Sequence, residues 1–130
     1  METRKPRRVI KDTQNRQNRS AIERWGQNKD LFSEGFIVVP NRFFQRYATL
    51  RPEPLTSGEA LFVLHLMTFK WEAAAPYPSY ETVAKRMGIT GKMTRRYAQR
   101  LQRKGYLVRL FRKRAPNRFD LTGFFRALGS

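Results

Sequence analysis

Cysteine is absent from this chain of 130 residues, and histidine occurs once, as His65. The absence of cysteine excludes disulfides and cysteine-ligated zinc, and it is compatible with a cytoplasmic location. Because His65 lies within an apolar run and has no H-x-x-E neighbour, we interpret it as a core or edge residue rather than a metal ligand. We therefore expect neither a metal site nor a cofactor.

Long apolar runs and catalytic motifs are also missing. No stretch approaches the roughly 18 apolar residues of a membrane span, and the N-terminus lacks the apolar core of a signal peptide. The sequence contains no G-x-S-x-G, P-loop or H-E-x-x-H motif, and its 10 acidic residues are scattered singly. We expect a cytoplasmic protein that is not an enzyme; a nuclease whose carboxylates meet only in the folded chain is the one catalytic alternative left open.

Acidic residues are few relative to basic ones. The chain has 27 Lys and Arg against 10 Asp and Glu, a net charge of +17 and an isoelectric point near 11.4. Between Lys85 and Arg118 there are 13 basic residues and no acidic one. Because like charges at this density repel one another, they favour a polyanionic partner: DNA, RNA or an acidic membrane surface. The length allows one domain and a tail.

A helix is predicted after Ser79, which is a suitable N-cap. Its apolar stripe consists of Tyr80, Val83, Ala84 and Met87, spaced as on one helical face. Gly88 can end the helix in the left-handed conformation, and Thr90 is placed to cap a second helix that runs to Gly105. The pattern predicts two helices joined by a tight turn.

The second helix has one apolar side and one cationic side. The apolar side carries Thr94, Tyr97, Ala98 and Leu101, and the opposite side carries Lys92, Arg96, Gln99 and Arg103, with Arg95 and Arg100 at its borders. Solvated helix surfaces usually mix basic residues with Glu, and this one has none. We interpret the cationic side as a nucleic-acid-binding face instead of a merely solvated one.

A basic β-hairpin is predicted directly after the helices. Residues Tyr106–Lys113 form its first strand, with apolar side chains at 106, 108 and 110 on one face. Residues 114–117 form the turn, because Pro116 has a fixed φ and Asn117 tolerates a left-handed one. Residues 118–121 form the returning strand.

The segments PSYETVAKRMGI and TGKMTRRYAQRLQRKGYL, with the hairpin after them, resemble the winged helix-turn-helix family over about Phe36 to Leu128. The resemblance implies an α+β, mostly α fold with three to four helices, a small antiparallel sheet and a β-wing. It also implies that residues 91–104 enter the major groove of double-stranded DNA while the wing, 106–121, touches the backbone. The pieces VPN at 39–41 and LTSGE at 55–59 are similar to plasmid and phage replication initiators and related mobile-element regulators.

The resemblance assigns roles to individual side chains. Base readout falls to Lys92, Arg95, Arg96 and Gln99, since Arg or Lys suits guanine and Gln suits adenine. Backbone contacts fall to Thr90, Gly91, Arg100, Arg103, Lys104, Arg109, Arg112, Lys113, Arg114, Asn117 and Arg118. A membrane role is disfavoured, because the cations lie on two short helices and a hairpin instead of one long amphipathic helix.

Two kinds of function remain open for such a domain. One is a transcription regulator or replication initiator of a plasmid, phage or other mobile element, located in the cytoplasm at the nucleoid of a prokaryote. The other is a non-catalytic nucleic-acid-binding or interaction subunit of a larger nucleoprotein complex. Homodimer formation and further protein partners are also left open, because fold alone does not fix function.

Residues 1–35 are predicted to be a flexible basic tail, with nine basic and five acidic residues. Arg4, Lys5, Arg7 and Arg8 form a candidate arm for a minor groove or phosphates, and a merely solubilising tail is the alternative. Ser20–Glu23 matches a capping box, which predicts a short helix from Ala21 to Trp25.

The remaining elements complete a domain at 36–130. Residues 36–39 are predicted to form a strand that pairs with the wing. Asn41 is predicted to cap a helix whose apolar face holds Phe43, Phe44, Tyr47 and Leu50. T-x-x-E at 56–59 opens the most apolar segment, 60–71, which should be the buried centre. A last helix, capped by Thr122, presents Phe124, Phe125 and Leu128, which either close the domain's own core, form a dimer seam or contact a further domain.

Overall fold

The computed structural model of the chain describes residues 24–26, 29–69, 79–110 and 118–130. Contacts divide the chain into two compact units, Met1–Phe36 and Ile37–Ser130. The first unit contains a 3-10 helix at Lys29–Phe32, and the rings of Phe32 and Phe36 lie edge to face at 5.7 Å. The predicted arm and nearly all of the predicted helix at 21–25 lie outside the described residues, and Trp25 is exposed.

The second unit is mostly helical with one small sheet. Its elements are α1 (Asn41–Arg46), a 3-10 turn (Tyr47–Thr49), α2 (Ser57–Met67), α3 (Tyr80–Met87), α4 (Gly91–Arg103), β1 (Val108–Leu110), β2 (Arg118–Asp120) and α5 (Thr122–Gly129). The predicted α+β, mostly α class is confirmed, and the arrangement is compatible with a winged helix-turn-helix. The described part of this unit contains five α-helices instead of three to four.

Helix α2 begins at the predicted capping box. The amide of Thr56 donates to Oε1 of Glu59 at 2.9 Å, and the amide of Glu59 donates to Oγ1 of Thr56 at 3.1 Å. The buried side chains of α2 are Glu59, Ala60, Phe62, Val63, Leu66 and Met67. The helix ends at Met67, before the predicted limit at residue 71, and Leu61 is 46% exposed. The apolar surface of α2 is therefore buried over most, and not all, of its circumference.

The core joins α2 to the elements on either side of it. Fully buried residues from α4 (Ala98 and Leu101) and from α5 (Phe124) belong to the same cluster as Phe62 and Val63 of α2. Full burial of each large apolar side chain in this cluster, such as Phe62, Leu101 or Phe124, contributes about 1.5 to 3 kcal/mol. This cluster fixes the orientation of α4.

Helix α5 closes the domain's own core, which was the first of the three alternatives. The ring of Phe124 lies 5.6 Å from Phe43 of α1 and 6.0 Å from Tyr106. At the other end of α5, Arg42 and Arg46 of α1 donate hydrogen bonds to the carbonyls of Gly129 and Ser130. These cationic side chains suit the partial negative charge at the C-terminal end of a helix.

The predicted strand at 36–39 is wrong. Residues 35–40 are neither helix nor strand, and among the described residues the sheet has two strands, β1 and β2. Ile37 and Val39 pack against the core through their side chains, while Val38 is 53% exposed. Pro40, which has no amide hydrogen, follows directly. The segment is therefore held by side-chain packing and not by strand pairing.

The alternating apolar side chains of β1 do not face the core. Val108 and Leu110 are 52% and 45% exposed. In the antiparallel register Arg109 lies opposite Phe119, and directly opposite residues point to the same face of a sheet. Because Phe119 is buried, the inward face carries residues 109 and 119 instead of 108 and 110.

Two predicted caps and one predicted core residue need correction. Asn41 is the first residue of α1 and does not cap it, since this helix has no side-chain cap. Phe43 is the buried residue of α1, whereas Phe44, which was predicted on the same apolar face, is 57% exposed. Thr122 does not cap α5. Instead Oδ1 of Asp120 accepts hydrogen bonds from the amide of Thr122 at 2.8 Å and from its hydroxyl at 2.5 Å.

Candidate nucleic-acid interface

The predicted turn between α3 and α4 is confirmed. Ser79 caps α3 by accepting from the amide of Thr82 at 3.2 Å, and Gly88 ends α3 with φ of 69°. The amide of Ile89 donates to the carbonyl of Ala84 at 3.0 Å, as in a left-handed helix end. Thr90 caps α4 by accepting from the amide of Met93 at 3.1 Å. A backbone-to-side-chain bond thus fixes the start of each helix.

The inward side of α4 is as predicted. Thr94, Ala98 and Leu101 are completely buried. The hydroxyl of Thr94 donates to the carbonyl of Thr90 at 3.0 Å, which satisfies the polar group without a partner from another element. Tyr97 is half-buried, with its ring 6.1 Å from Phe62 of α2. This packing fixes the rotation of α4 about its own axis.

The outward side of α4 displays the four predicted base-reading side chains. Lys92, Arg95, Arg96 and Gln99 are all exposed, as is Arg103, and Arg100 is half-buried. Glu81 is the only acidic residue in the described stretch 79–110. A 13-residue helix is about 20 Å long, and its exposed surface carries positive charge over this length.

Arg95 is held by two consecutive residues at the start of α3. Its Nη2 lies 3.4 Å from Oε1 of Glu81, and its guanidinium carbon lies 5.8 Å from the ring centroid of Tyr80. The side chains of Arg95 and Glu81 are 53% and 71% exposed. Because exposed ion pairs contribute only about 0 to 1 kcal/mol, Arg95 can leave Glu81 at little cost.

Lys104 differs from the other predicted backbone contacts. Its ammonium donates to Oε1 of Glu59 at 2.7 Å and to the carbonyl of Pro54 at 2.8 Å. Only 15% of its side chain is exposed, and the Glu59 side chain is buried. The charge of Lys104 is therefore already paired inside the domain, unlike that of the exposed cations on α4.

Arg100 and Arg103 border an open cleft of about 300 Å³ beside this ion pair. The other lining residues are Glu53, Thr56, Glu59 and Lys104. The charges around the cleft sum to only +1, since two Glu accompany the three cations. The net positive charge around Arg100 and Arg103 is therefore small, because two carboxylates lie in the same cleft.

Thr90 and Gly91 lie at the N-terminus of α4, where the helix has its partial positive charge. The Thr90 hydroxyl accepts the capping hydrogen bond and remains exposed. A Cβ on Gly91 would come no closer than 3.8 Å to Nη1 of Arg95. Gly91 is therefore not required for packing within the domain.

The hairpin contributes the remaining predicted contacts that are described. Arg109 lies in the middle of β1 and is exposed, and its guanidinium carbon is 5.6 Å from the ring centroid of Tyr80. Arg118 begins β2 and is half-buried, with Nε buried and without a hydrogen-bond partner. The other predicted contacts, Arg112, Lys113, Arg114 and Asn117 at the hairpin tip and Arg4, Lys5, Arg7 and Arg8 in the arm, lie outside the described residues.

Tyr80 and Glu81 are the interface residues that sequence reasoning missed. Tyr80 was predicted only as part of the apolar stripe of α3, and Glu81 was assigned no role in the interface. Nothing in their spacing indicates contact with Arg95, because that contact depends on the angle at which α3 meets α4.

Other kinds of site have little support in the structure. In the part of the chain that is described, no three His, Cys, Asp or Glu residues are grouped as a metal site. Burial and the charge of Arg86 lower the pKa of His65, so this imidazole favours its neutral form. None of the helices among the described residues has the length and apolarity to cross a membrane.

Comparison with known families agrees with this geometry. Residues 53–107, less than half of the chain, match the model of a family described as helix-turn-helix domain. The match begins before α2 and ends before β1, so it contains α2, α3 and α4. No curated protein matches the chain. The match supports a helix-turn-helix of the DNA-binding class and does not extend to the hairpin.

Proposed function

We propose that the protein binds double-stranded DNA, with α4 in the major groove and the hairpin on the neighbouring backbone. One observation carries this proposal: α4 buries one side in the core and exposes Lys92, Arg95, Arg96 and Gln99 on the other. The major groove of B-DNA is wide enough for a helix, and these side chains suit guanine and adenine edges. A rigidly packed helix can present them in a fixed order.

The remaining cations in this proposal supply affinity without sequence information. Arg100, Arg103, Arg109 and Arg118 lie on the end of α4 and on the hairpin, and Arg112, Lys113 and Arg114 follow β1 in the sequence. Phosphate neutralisation releases counterions from the duplex and makes affinity fall with salt. Thr90 and Gly91 add a helix N-terminus, where backbone amides favour a phosphate.

For the biological role, we propose a non-catalytic regulator of transcription or initiator of replication on a plasmid, phage or other mobile element. The support is the similarity of VPN at 39–41 and LTSGE at 55–59 to such proteins. In this structure the first piece leads into α1 and the second forms the capping box and first turn of α2. Both pieces therefore start helices.

Selection of duplexes from a random library by the purified protein tests the proposal. We expect a short enriched motif that binds about a thousandfold more tightly than a scrambled duplex. In a salt titration both duplexes should lose affinity, with the selected one keeping its advantage. If no motif were enriched and both duplexes followed one steep salt line, groove recognition by α4 would be wrong.

A second candidate is an interaction subunit of a larger nucleoprotein complex. It is favoured by Phe44 of α1 and Leu61 of α2, which are 57% and 46% exposed although both are large and apolar. Size measurements of the isolated protein separate the candidates. A regulator should remain a stable monomer or dimer with selective duplex binding, whereas a subunit without its complex should aggregate or bind any polyanion.

A further inference from the structure

Tyr80 lies where three parts of the candidate interface meet. It is the first residue of α3 and is half-buried. Its ring centroid is 5.8 Å from the guanidinium carbon of Arg95 in α4 and 5.6 Å from that of Arg109 in β1. Both distances fall within the range of about 6 Å in which a cation is attracted to an aromatic ring.

The hairpin register explains how β1 reaches this ring. Arg109 is directly opposite Phe119, so both side chains point to the face of the hairpin that packs on the helices. The ring of Phe119 is buried and lies 5.7 Å from that of Tyr80. Phe119 thus holds the hairpin against Tyr80 by apolar packing, and Arg109 adds a cationic contact.

The two arginines have different predicted tasks. Arg95 is expected to contact a base edge, and Arg109 is expected to contact the backbone beside the groove. Both arginines can make these contacts with one duplex only if α4 and the hairpin are held at the correct separation. Among the described residues, the ring of Tyr80 lies close to both guanidinium groups and to the buried ring of Phe119 in the hairpin.

We propose that Tyr80 is a positioning residue for DNA recognition: its ring holds Arg95 and Arg109 together and so sets the spacing between α4 and the hairpin. The inference rests on the proposed function, because the spacing matters only if both elements engage one duplex. Tyr80 itself need not touch DNA. Its effect is to place the two arginines before the duplex arrives, which lowers the ordering cost of binding.

Removal of the Tyr80 ring should lower the selectivity of DNA binding and leave its salt dependence unchanged. Without the ring, each arginine keeps its charge, so phosphate neutralisation and the slope of affinity against salt should stay unchanged. The preference for the selected duplex over a scrambled one should fall by about tenfold, the expected effect of losing two cation–ring contacts. A residue that served only stability would not change selectivity at an unchanged salt slope.

The test compares Tyr80→Leu, which can still cover Phe119, with Tyr80→Phe, which keeps the ring. Tyr47→Leu is the matched control, since Tyr47 is also half-buried and its ring contacts Phe43 at 5.9 Å. The first readout uses the full-length protein without DNA: side-chain Nε–Hε NMR signals of Arg95 and Arg109. We expect both signals to move in Tyr80→Leu through loss of the ring current, to keep their positions in Tyr80→Phe, and to be unaffected by Tyr47→Leu.

The second readout is the affinity ratio of selected to scrambled duplex, together with the salt slope and the thermal midpoint. Tyr80→Leu should lose about tenfold in the ratio, and Tyr80→Phe should restore it. Should Tyr80→Leu fail to fold, Tyr80→Met replaces it, because its long apolar side chain can also cover Phe119.

The outcomes separate this inference from the proposed function. If neither arginine signal moves, or if Tyr80→Leu discriminates as well as the wild type, the inference is overturned while the proposed function stands. If the wild-type protein shows no preference for any duplex, the proposed function fails, and the role of Tyr80 in selectivity fails with it, even where the NMR signals move.

Discussion

Glu59 is a buried acidic residue whose carboxylate takes part in two contacts of the core. Its carboxylate caps α2 through the amide of Thr56 and also accepts from the ammonium of Lys104 at the end of α4. The side chain is 1% exposed, and Oε2 is buried without a hydrogen-bond partner. Since a buried carboxylate without a cation is costly, we expect Lys104 to contribute to stability through this pair.

Lys104→Met should therefore destabilise the fold by about 3 kcal/mol, because it leaves the Glu59 carboxylate buried and unpaired. Thermal or urea unfolding of the variant measures this change. The double variant with Glu59→Gln is the control, and it should recover part of the loss because the unpaired charge is gone. An unchanged unfolding midpoint with weaker DNA binding would instead identify Lys104 as a free phosphate contact.

Asp120 provides a pH-dependent contribution at the start of α5. Hydrogen bonds from the hydroxyl and then from the amide of Thr122 lower the pKa of this carboxyl from its ordinary 3.8, against a smaller opposing effect of burial. A carboxyl with a lowered folded-state pKa binds protons more weakly when folded than when unfolded. Its stabilising effect is therefore complete above pH 3.8 and is lost as pH falls through the lower, folded-state value.

Asp120→Asn tests this pH dependence, because the amide oxygen can still accept the hydrogen bonds while the charge is removed. The wild type should be more stable than the variant at pH 6, and the difference should shrink as the pH is lowered from about 4 towards 2. Thermal midpoints of both proteins across this pH range give the measurement. A difference that stays constant with pH would show that the charge of Asp120 has no part in it.

At the scale of elements, two glycines permit close packing. A Cβ on Gly123 at the start of α5 would overlap the backbone carbonyl oxygen of Gly105, which follows α4. A Cβ on Gly58 in α2 would overlap the phenol group of Tyr97 in α4. A backbone atom can move less easily than the end of a side chain, so the first contact is the stricter one.

Gly123→Ala should destabilise the domain by about 1 to 3 kcal/mol, and Gly58→Ala by less, since overpacking forces neighbouring groups to move. Gly91→Ala is the matched control: its Cβ would lie 3.8 Å from the nearest side-chain atom, an ordinary contact. In urea unfolding, Gly123→Ala should therefore have the lowest free energy of unfolding of the three variants, and Gly91→Ala should have one close to that of the wild type. Equal stability of all three would contradict the close approach of α5 to Gly105.

Local signals in the sequence were sufficient for the helix-turn-helix itself. Ser79, Thr56 and Thr90 cap their helices as predicted, and Gly88 is left-handed, because each depends only on residues within one turn. Two local predictions failed, because Asn41 and Thr122 do not cap their helices. The other failures concern features that depend on contacts between distant residues. The strand at 36–39 would have needed a partner at the sheet edge. The exposure of Val108 and Leu110 depends on the register of β1 with β2 and could not be read from the alternation alone. The Lys104–Glu59 pair joins residues 45 positions apart.

At the scale of the whole molecule, positive charge is spread beyond the helix-turn-helix. The net charge is +17, and Arg4, Lys5, Arg7 and Arg8 lie at the start of the chain. Affinity falls with salt, and each phosphate that a cation neutralises adds about 0.9 to the magnitude of the slope of log affinity against log salt. The magnitude of the salt slope therefore measures how many of these cations contact phosphates of the duplex.

Replacement of the four arm residues by Gln should reduce the magnitude of the salt slope by up to about 4 while the selected motif stays the same. The binding titration is repeated at several salt concentrations with the wild type and the variant. Arg4→Lys, Arg7→Lys and Arg8→Lys together form the control, because they retain the charge and should retain the slope. A slope that does not change in the Gln variant would mean that the tail only solubilises the protein.

The most direct test of the central claim, that the exposed side of α4 contacts base edges, is a repeat of the duplex selection with Arg96→Ala. Arg42→Ala on α1 removes the same charge and serves as the matched control, since Arg42 donates to the carbonyl of Gly129. We predict that Arg96→Ala loses about 1 to 3 kcal/mol on the selected duplex and loses its preference at one base position, while Arg42→Ala selects the wild-type motif. Equal weakening on selected and scrambled duplexes, with the motif unchanged, would contradict the claim and make Arg96 a phosphate contact.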